Sequence, residues 1–182
     1  MRKSSKSAVL YNLNSPLQII ELDLPAPKFG EVLVKVIASG ICHTQLLEIK
    51  GENATGPHNP NFLGHEGAGI VISVGEGVSK VKADDHVILS WLKGKGKTNI
   101  PKPILHNNQW INRGAVTTFS EYTVVSESRV TPIRKDMPLV PAALIGCAVA
   151  TGMGMVFNNA KIEENDSIVI MGCGGIGINA IH

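Results

Sequence analysis

Aromatic residues are scarce in this chain, at 4% of its 182 residues, and charge is thin, with 18% Asp, Glu, Lys and Arg. An average soluble domain carries ~25% charged residues. Together with 43% hydrophobic residues, the low charge suits a β-rich globular protein with a substantial core. The formal net charge of +2 is too small to argue for nucleic acid or an anionic membrane as partner. No stretch approaches the ~20 apolar residues that a membrane span needs. The run Ala8-Val9-Leu10, behind a basic N-terminus, is far too short for a signal peptide. The cysteines number three, without paired spacing, so a disulfide framework is not expected. A reducing, cytoplasmic setting is the expected compartment. There is no internal repeat and no low-complexity tract.

What is present reads first as a series of short strands. Residues 7–11 and 17–24 are expected to be strands separated by the turn Asn12-Leu13-Asn14-Ser15-Pro16, and residues 31–38 alternate with period two as a half-buried strand. Residues 41–48 read as a loop turning into a short helix, and 51–60, rich in Gly, Asn and Pro, as loop. A β-branched run follows at 70–74, then a hairpin-type turn at Gly75-Glu76-Gly77-Val78, a turn leading into a strand over 81–89, and further strands at 119–125 and 129–133. Residues 92–113 read as irregular. From 138 to 156 the pattern changes to helix, and 167–171 form a wholly apolar strand that runs into Gly172-Cys173-Gly174-Gly175-Ile176-Gly177. A strand, a glycine loop and the start of a helix form the pattern of a dinucleotide-binding unit.

His65 stands beside Glu66 within Gly64-His65-Glu66-Gly67-Ala68-Gly69, where glycines let other segments approach the backbone. Cys42 and Cys147 are distant soft donors that could join it. Two thiolates and an imidazole with one open position are what a catalytic zinc requires. The competing reading is two inert buried thiols and a structural histidine.

Four patches in order, Gly40-Ile41-Cys42-His43-Thr44, the Gly64 to Gly69 stretch, Leu144-Ile145-Gly146-Cys147-Ala148-Val149-Ala150-Thr151-Gly152 and the Gly172 to Gly177 loop, resemble the zinc-dependent medium-chain alcohol dehydrogenases. The similarity runs from about Ala8 to the end of the chain. It implies a mainly β fold with some α: a GroES-like β-barrel catalytic domain over 1–150, a connecting helix over 151–165, and the start of a Rossmann α/β domain over 166–182. It implies zinc on Cys42, His65 and Cys147.

In the same way the resemblance assigns Glu66 to a position close to the metal. A shared role for His65 and Glu66 requires a bend, because neighbours on a strand face opposite sides; a buried carboxylate paired with a base is the alternative. Thr44 matches a hydroxyl that relays the substrate proton, with a helix N-cap as the alternative. His43 matches a contact to the cofactor pyrophosphate, or is a solvated loop residue. Thr151 matches a residue touching the nicotinamide, and Gly172, Gly174, Gly175 and Gly177 match the pyrophosphate loop. Trp91 falls on a substrate-pocket aromatic, or is a core tryptophan. Two positions depart from the family: Gln45 replaces an acidic residue that orients the ligand histidine, and Leu47 replaces a relay histidine. The 92–113 segment falls where many relatives carry four cysteines around a structural zinc, and it contains none. One catalytic zinc and no structural zinc are therefore expected.

The resemblance implies hydride transfer between a zinc-bound alcohol or aldehyde and NAD or NADP in a full-length parent, itself expected to be a homo-oligomer. The residue that would choose between NAD and NADP, ~20 positions beyond the glycine loop, falls after His182. The chain is thus expected to represent the N-terminal half of such an enzyme, inactive alone, with residues 165–182 disordered or paired with a second copy. A non-catalytic zinc-binding or interaction module of the same fold is the rival. A zinc-free, quinone-reductase-like relative is disfavoured by the three ligands.

Overall fold

A computed structural model describes residues 3–52 and 60–182. The loop expected at 51–60 lies mostly outside the described residues. Among the described residues, ten strands form two sheets of five. The first, in the order β2-β1-β4-β8-β7, contains β1 (Lys3–Leu10), β2 (Gln18–Leu24), β4 (Asn61–Phe62), β7 (Ile104–His106) and β8 (Gln109–Arg113). The second, in the order β10-β6-β5-β3-β9, contains β3 (Glu31–Ser39), β5 (Glu66–Val74), β6 (His86–Ser90), β9 (Tyr122–Ser126) and β10 (Val130–Pro132). β3 was expected to bury one face; over residues 32–34 it buries both, while Lys35 and Ile37 stay exposed. Val32 and Val34 join Val71, Val87 and Leu89 in one core, whereas Leu33 faces Leu22, Phe62 and Ile111 in a second. A strand at the centre of a sheet covered on both sides loses the polar alternation of a surface strand. Each such aliphatic side chain contributes ~1.5–3 kcal/mol by leaving water.

The 92–113 segment departs from expectation, because β7 and β8 form an antiparallel hairpin within it. Asn107 and Asn108 turn the chain in left-handed conformation, with φ of 47° and 60°. Two consecutive residues at positive φ match the tight hairpin turn for which asparagine is suited. Ile104 and Ile111 from the two strands are buried in the second core, which is why the hairpin packs rather than hanging free.

Helix α1 (His43–Lys50) follows β3 as expected. The helical stretch after residue 138 breaks into α2 (Leu139–Ala142), a 3-10 turn (Ala143–Gly146), α3 (Ala148–Gly154) and a final wide turn (Met155–Ala160). Thus α3 itself spans the expected domain boundary at 150/151. The strand expected at 167–171 does not form: no neighbouring strand pairs with it, and Val169 and Met171 are 88% and 94% exposed. A lone strand leaves its backbone groups to water. The glycine loop does open a helix, α4 (Gly175–Ile181), which is ordered against α3 rather than disordered. Close packing of α3 on α4 needs Gly152, where a Cβ would fall 2.5 Å from the Ile176 carbonyl oxygen. Among the described residues, no single helix is long and apolar enough to cross a membrane.

Candidate metal centre

Three turns, each at the end of a regular element, bring the sequence-selected donors together. Cys42 is the residue before the first turn of α1, His65 immediately precedes β5, and Cys147 lies between the 3-10 turn and α3. Because β5 begins at Glu66, His65 is not bound by strand alternation, and both side chains reach one place. The ligand atoms of Cys42, His65, Glu66 and Cys147 all lie within 4.8 Å of one another, and the two sulfurs are 4.0 Å apart. Among the described residues this is the single group of such donors arranged to hold a metal.

The backbone under each donor is fixed by polar side chains. Ser39 and Thr118 both donate to the Glu66 carbonyl, at 3.0 and 2.9 Å, and their hydroxyls lie 2.8 Å apart. Ser90, paired with Glu66 across β5 and β6, donates to the Gly146 carbonyl at 2.7 Å. The space for Glu66 depends on two missing side chains: a Cβ on Gly40 would sit 2.6 Å from its carboxyl, and one on Gly146 would meet the Leu89 carbonyl oxygen at 2.2 Å.

The electrostatics mark a site built for a cation. His65 Nε2 and Glu66 Oε2 are buried without a hydrogen-bond partner. Orphaned polar atoms of this kind are costly unless something satisfies them. Burial, followed by the proximity of Cys42 and Glu66, pushes the Cys147 thiol up to about 11, and the Trp91 side chain draws it back only in part. Burial also raises the Glu66 carboxyl, against a hydrogen bond from the Ala148 N–H, and lowers the His65 imidazole. Donors that resist ionising among themselves ionise readily around a divalent ion. Two thiols, an imidazole and a nearby carboxyl make a soft, mixed set that fits zinc rather than calcium or magnesium.

Around this centre the remaining predicted residues divide. Thr44, in the first turn of α1, has its hydroxyl 3.6 Å from Cys42 Sγ; the residue at the cap position is Cys42, so the N-cap reading of Thr44 is excluded. His43 begins the helix and is exposed. Trp91 is half-exposed and lines a cavity of about 330 Å³ with His65, Gln45, Glu48, Arg113 and Val116. It is not a core tryptophan. Thr151 is partly buried in α3, one turn after Cys147, whose carbonyl accepts its N–H at 2.9 Å. Gly175 lies beside Ala148, so the glycine loop abuts the helix that follows Cys147. Within the loop, a Cβ on Gly177 would fall 1.9 Å from the Gly172 carbonyl oxygen.

The sequence had flagged Gln45 only as a departure, yet its amide touches both sides of the centre. It accepts the Cys42 N–H at 3.2 Å, and its nitrogen lies 2.7 Å from His65 Nδ1. Glutamine three residues after a cap position is the signal that could have found the first contact. Glu127 was missed altogether. Fully buried, it receives the N–H groups of Ser79, Lys80 and Lys97 at 2.7–2.8 Å and ties the Lys93 to Lys97 loop to the barrel.

Comparison with known proteins gives the family. Residues 28–135 match the family described as the alcohol dehydrogenase GroES-like domain. The chain belongs to the alcohol dehydrogenase family. The S-(hydroxymethyl)glutathione dehydrogenases of Photobacterium damsela subsp. piscicida and a Synechocystis strain are 38% and 39% identical to it over 203 aligned positions. These alignments take in 98% of this chain and 55% of each relative, so the chain spans about half the length of the curated relatives it matches. Among solved structures, the alcohol dehydrogenase zinc-binding domain protein from Burkholderia ambifaria superposes with a TM-score of 0.85 at 26% identity, covering all of this chain and 55% of that one. Benzyl alcohol dehydrogenase from Acinetobacter calcoaceticus gives 0.85 at 28% identity, over 98% and 54%. As a member of this family, the chain has the mainly β GroES-like fold expected of its catalytic domain.

Proposed function

We propose that the chain is the GroES-like catalytic domain of a zinc-dependent alcohol dehydrogenase, acting on a small alcohol or aldehyde with NAD or NADP in a longer parent. The convergence of Cys42, His65, Glu66 and Cys147 within 4.8 Å carries the reading. Cys42, His65 and Cys147 hold the metal, and Glu66 stands beside it. Bound zinc would supply Lewis acidity, lowering the pKa of an alcohol hydroxyl. Thr44 would accept that proton on its oxygen and pass its own toward solvent, being able to donate and accept at once. Trp91 and the cavity of about 330 Å³ beside His65 hold the organic part of the substrate, a volume that suits a small molecule.

The cofactor residues in this reading are His43, Thr151, Gly172, Gly174, Gly175 and Gly177. The domain division is 1–150 catalytic, 151–165 connecting and 166–182 nucleotide-binding. The parent is a cytoplasmic homo-oligomer. NADP has precedent in a neighbour: CAD from Helicobacter pylori, solved with NADP(H), superposes with a TM-score of 0.79 at 25% identity.

Elemental analysis of the purified chain beside a Cys42→Ser variant tests the proposal. About one zinc per chain, lost in the variant, is expected. A folded chain that binds no zinc, and stays empty when extended through a complete nucleotide domain, overturns it. Zinc bound by an extended chain that never transfers hydride to NAD or NADP favours a non-catalytic module.

A further inference from the structure

The cavity beside His65 is lined by a cation that the fold leaves without an anion. Arg113, the last residue of β8, donates Nε–H to the Lys102 carbonyl at 2.9 Å and Nη1–H to the Val124 carbonyl at 3.0 Å. Both acceptors are neutral, and Nη2 bonds to none of the described residues. The single ion pair among the described residues joins Arg134 to Asp136, so no carboxylate lies against the Arg113 guanidinium. Burial works against its charge, and the Glu31 carboxylate offsets that only in part. Asn61, 6% exposed, lines the same cavity with a side-chain oxygen that has no hydrogen-bond partner. Charged and polar groups withdrawn from water are costly until something answers them. A purely hydrocarbon ligand answers neither.

We propose that Arg113 determines specificity, and that the substrate is an alcohol or aldehyde carrying a carboxylate at the end away from His65. This rests on the reading of the cavity as the substrate site. A guanidinium with a free nitrogen suits a carboxylate, a planar monoanion that Arg recognises through its fork of N–H groups. A phosphate dianion calls for more donors, and among the described residues no lysine lines the cavity. Glu48 supplies direction. It lines the same cavity from α1 and makes no ion pair with Arg113. The Gln45 amide lies 3.4 Å from the Glu48 carboxylate and 2.7 Å from the His65 ring, which puts Glu48 on the metal side. A ligand carboxylate is thus repelled near His65 and drawn to Arg113, so the hydroxyl or aldehyde end is left toward the donors.

The experiment measures binding of 4-hydroxybutanoate and of its uncharged counterpart 1,4-butanediol to the zinc-loaded chain by calorimetry, while NMR follows the Arg113 Nε–H signal. The hydroxyacid is expected to bind about tenfold tighter than the diol, the size of one hydrogen bond to a charged group. It is also expected to move the Arg113 signal, which the diol leaves in place. R113Q is expected to erase the preference, and E48Q to widen it. Circular dichroism establishes folding; if R113Q does not fold, E48Q and the wild-type Arg113 signal decide. Equal affinity for the two ligands, a preference that survives R113Q, or an unmoved Arg113 signal overturns the proposal. Inorganic phosphate binding as tightly as the hydroxyacid does so too. A chain that takes up no zinc overturns the metal-centre reading instead. Butanoate, which has no hydroxyl for a metal to hold, then tests Arg113 against butanamide: a signal moved by butanoate alone upholds the assignment, and an unmoved one overturns it.

Discussion

Ser90 donates its hydroxyl to the Gly146 carbonyl at 2.7 Å, and the same oxygen accepts the Leu92 N–H at 3.1 Å. One hydroxyl thereby joins the end of β6 to the turn that delivers Cys147. Removing it in Ser90→Ala leaves a carbonyl without its partner, at a cost of ~1–2 kcal/mol. Zinc affinity is expected to fall ~10-fold or more, as for groups that orient metal ligands. Thermal melting and a zinc competition titration of the same sample check both effects. An unchanged affinity would mean that Cys147 is held by other contacts.

The Cys147 thiol, pushed up to about 11 by burial and by Cys42 and Glu66, is expected to stay protonated through neutral pH in the metal-free chain. Iodoacetamide at pH 8 is expected to label exposed Cys173 and spare Cys147, with Cys147 labelling rising steeply only above about pH 10. Peptide mass spectrometry reads the sites. Since the thiol must lose its proton to bind a metal, zinc affinity is expected to rise with pH across the neutral range. Equal labelling of Cys147 and Cys173 at pH 8 would sink this account.

Glu127 is expected to matter for stability rather than chemistry. Burial alone would raise its carboxyl, but the N–H groups of Lys97, Ser79 and Lys80 outweigh it and hold it below the usual carboxylate range. A carboxyl lower in the folded than in the unfolded chain stabilises the fold above its unfolded value. That contribution is lost as pH falls through the lower, folded value. Glu127→Ala is expected to cost ~3 kcal/mol or more, because three backbone donors lose their acceptor. In chemical denaturation, the difference between wild type and variant should shrink below about pH 4. A difference that persists there would show that packing, not the carboxylate, is responsible.

Gly177→Ala places a Cβ 1.9 Å from the Gly172 carbonyl oxygen, a clash with backbone that no rotamer relieves. Opening of the loop and fraying of α4 are expected, with zinc content unchanged. In an extended parent, binding of NAD or NADP is expected to weaken severely. Hydrogen exchange over residues 172–181, set beside elemental analysis, separates the two effects. Loss of zinc along with α4 would mean that the halves are coupled more tightly than the contact through Gly152 suggests.

The candidate metal donors were legible because each is embedded in a short, glycine-marked turn whose residue types are dictated locally. Cys42, His65 and Cys147 could be chosen as candidates without coordinates for that reason, and so could the helix after Cys42. The hairpin of β7 and β8 was readable in principle from Asn107-Asn108, but short strands of three and five residues carry little periodicity. The apolar run at 167–171 shows the opposite limit. Its composition says strand, yet a strand exists only when a neighbour accepts its hydrogen bonds.

The sequence alone determined the family, the β-rich fold and which residues are the candidate donors, because periodicity, turn residues and local motifs act over a few positions. Only the tertiary structure decided how those donors are held. Gln45 reaches His65 across 20 positions, Ser90 reaches Gly146 across 56, and Glu127 gathers N–H groups from segments 30 and 48 positions away. Hydrogen bonds between segments so distant in sequence depend on where the folded sheets place them, and no local pattern of residues encodes that placement.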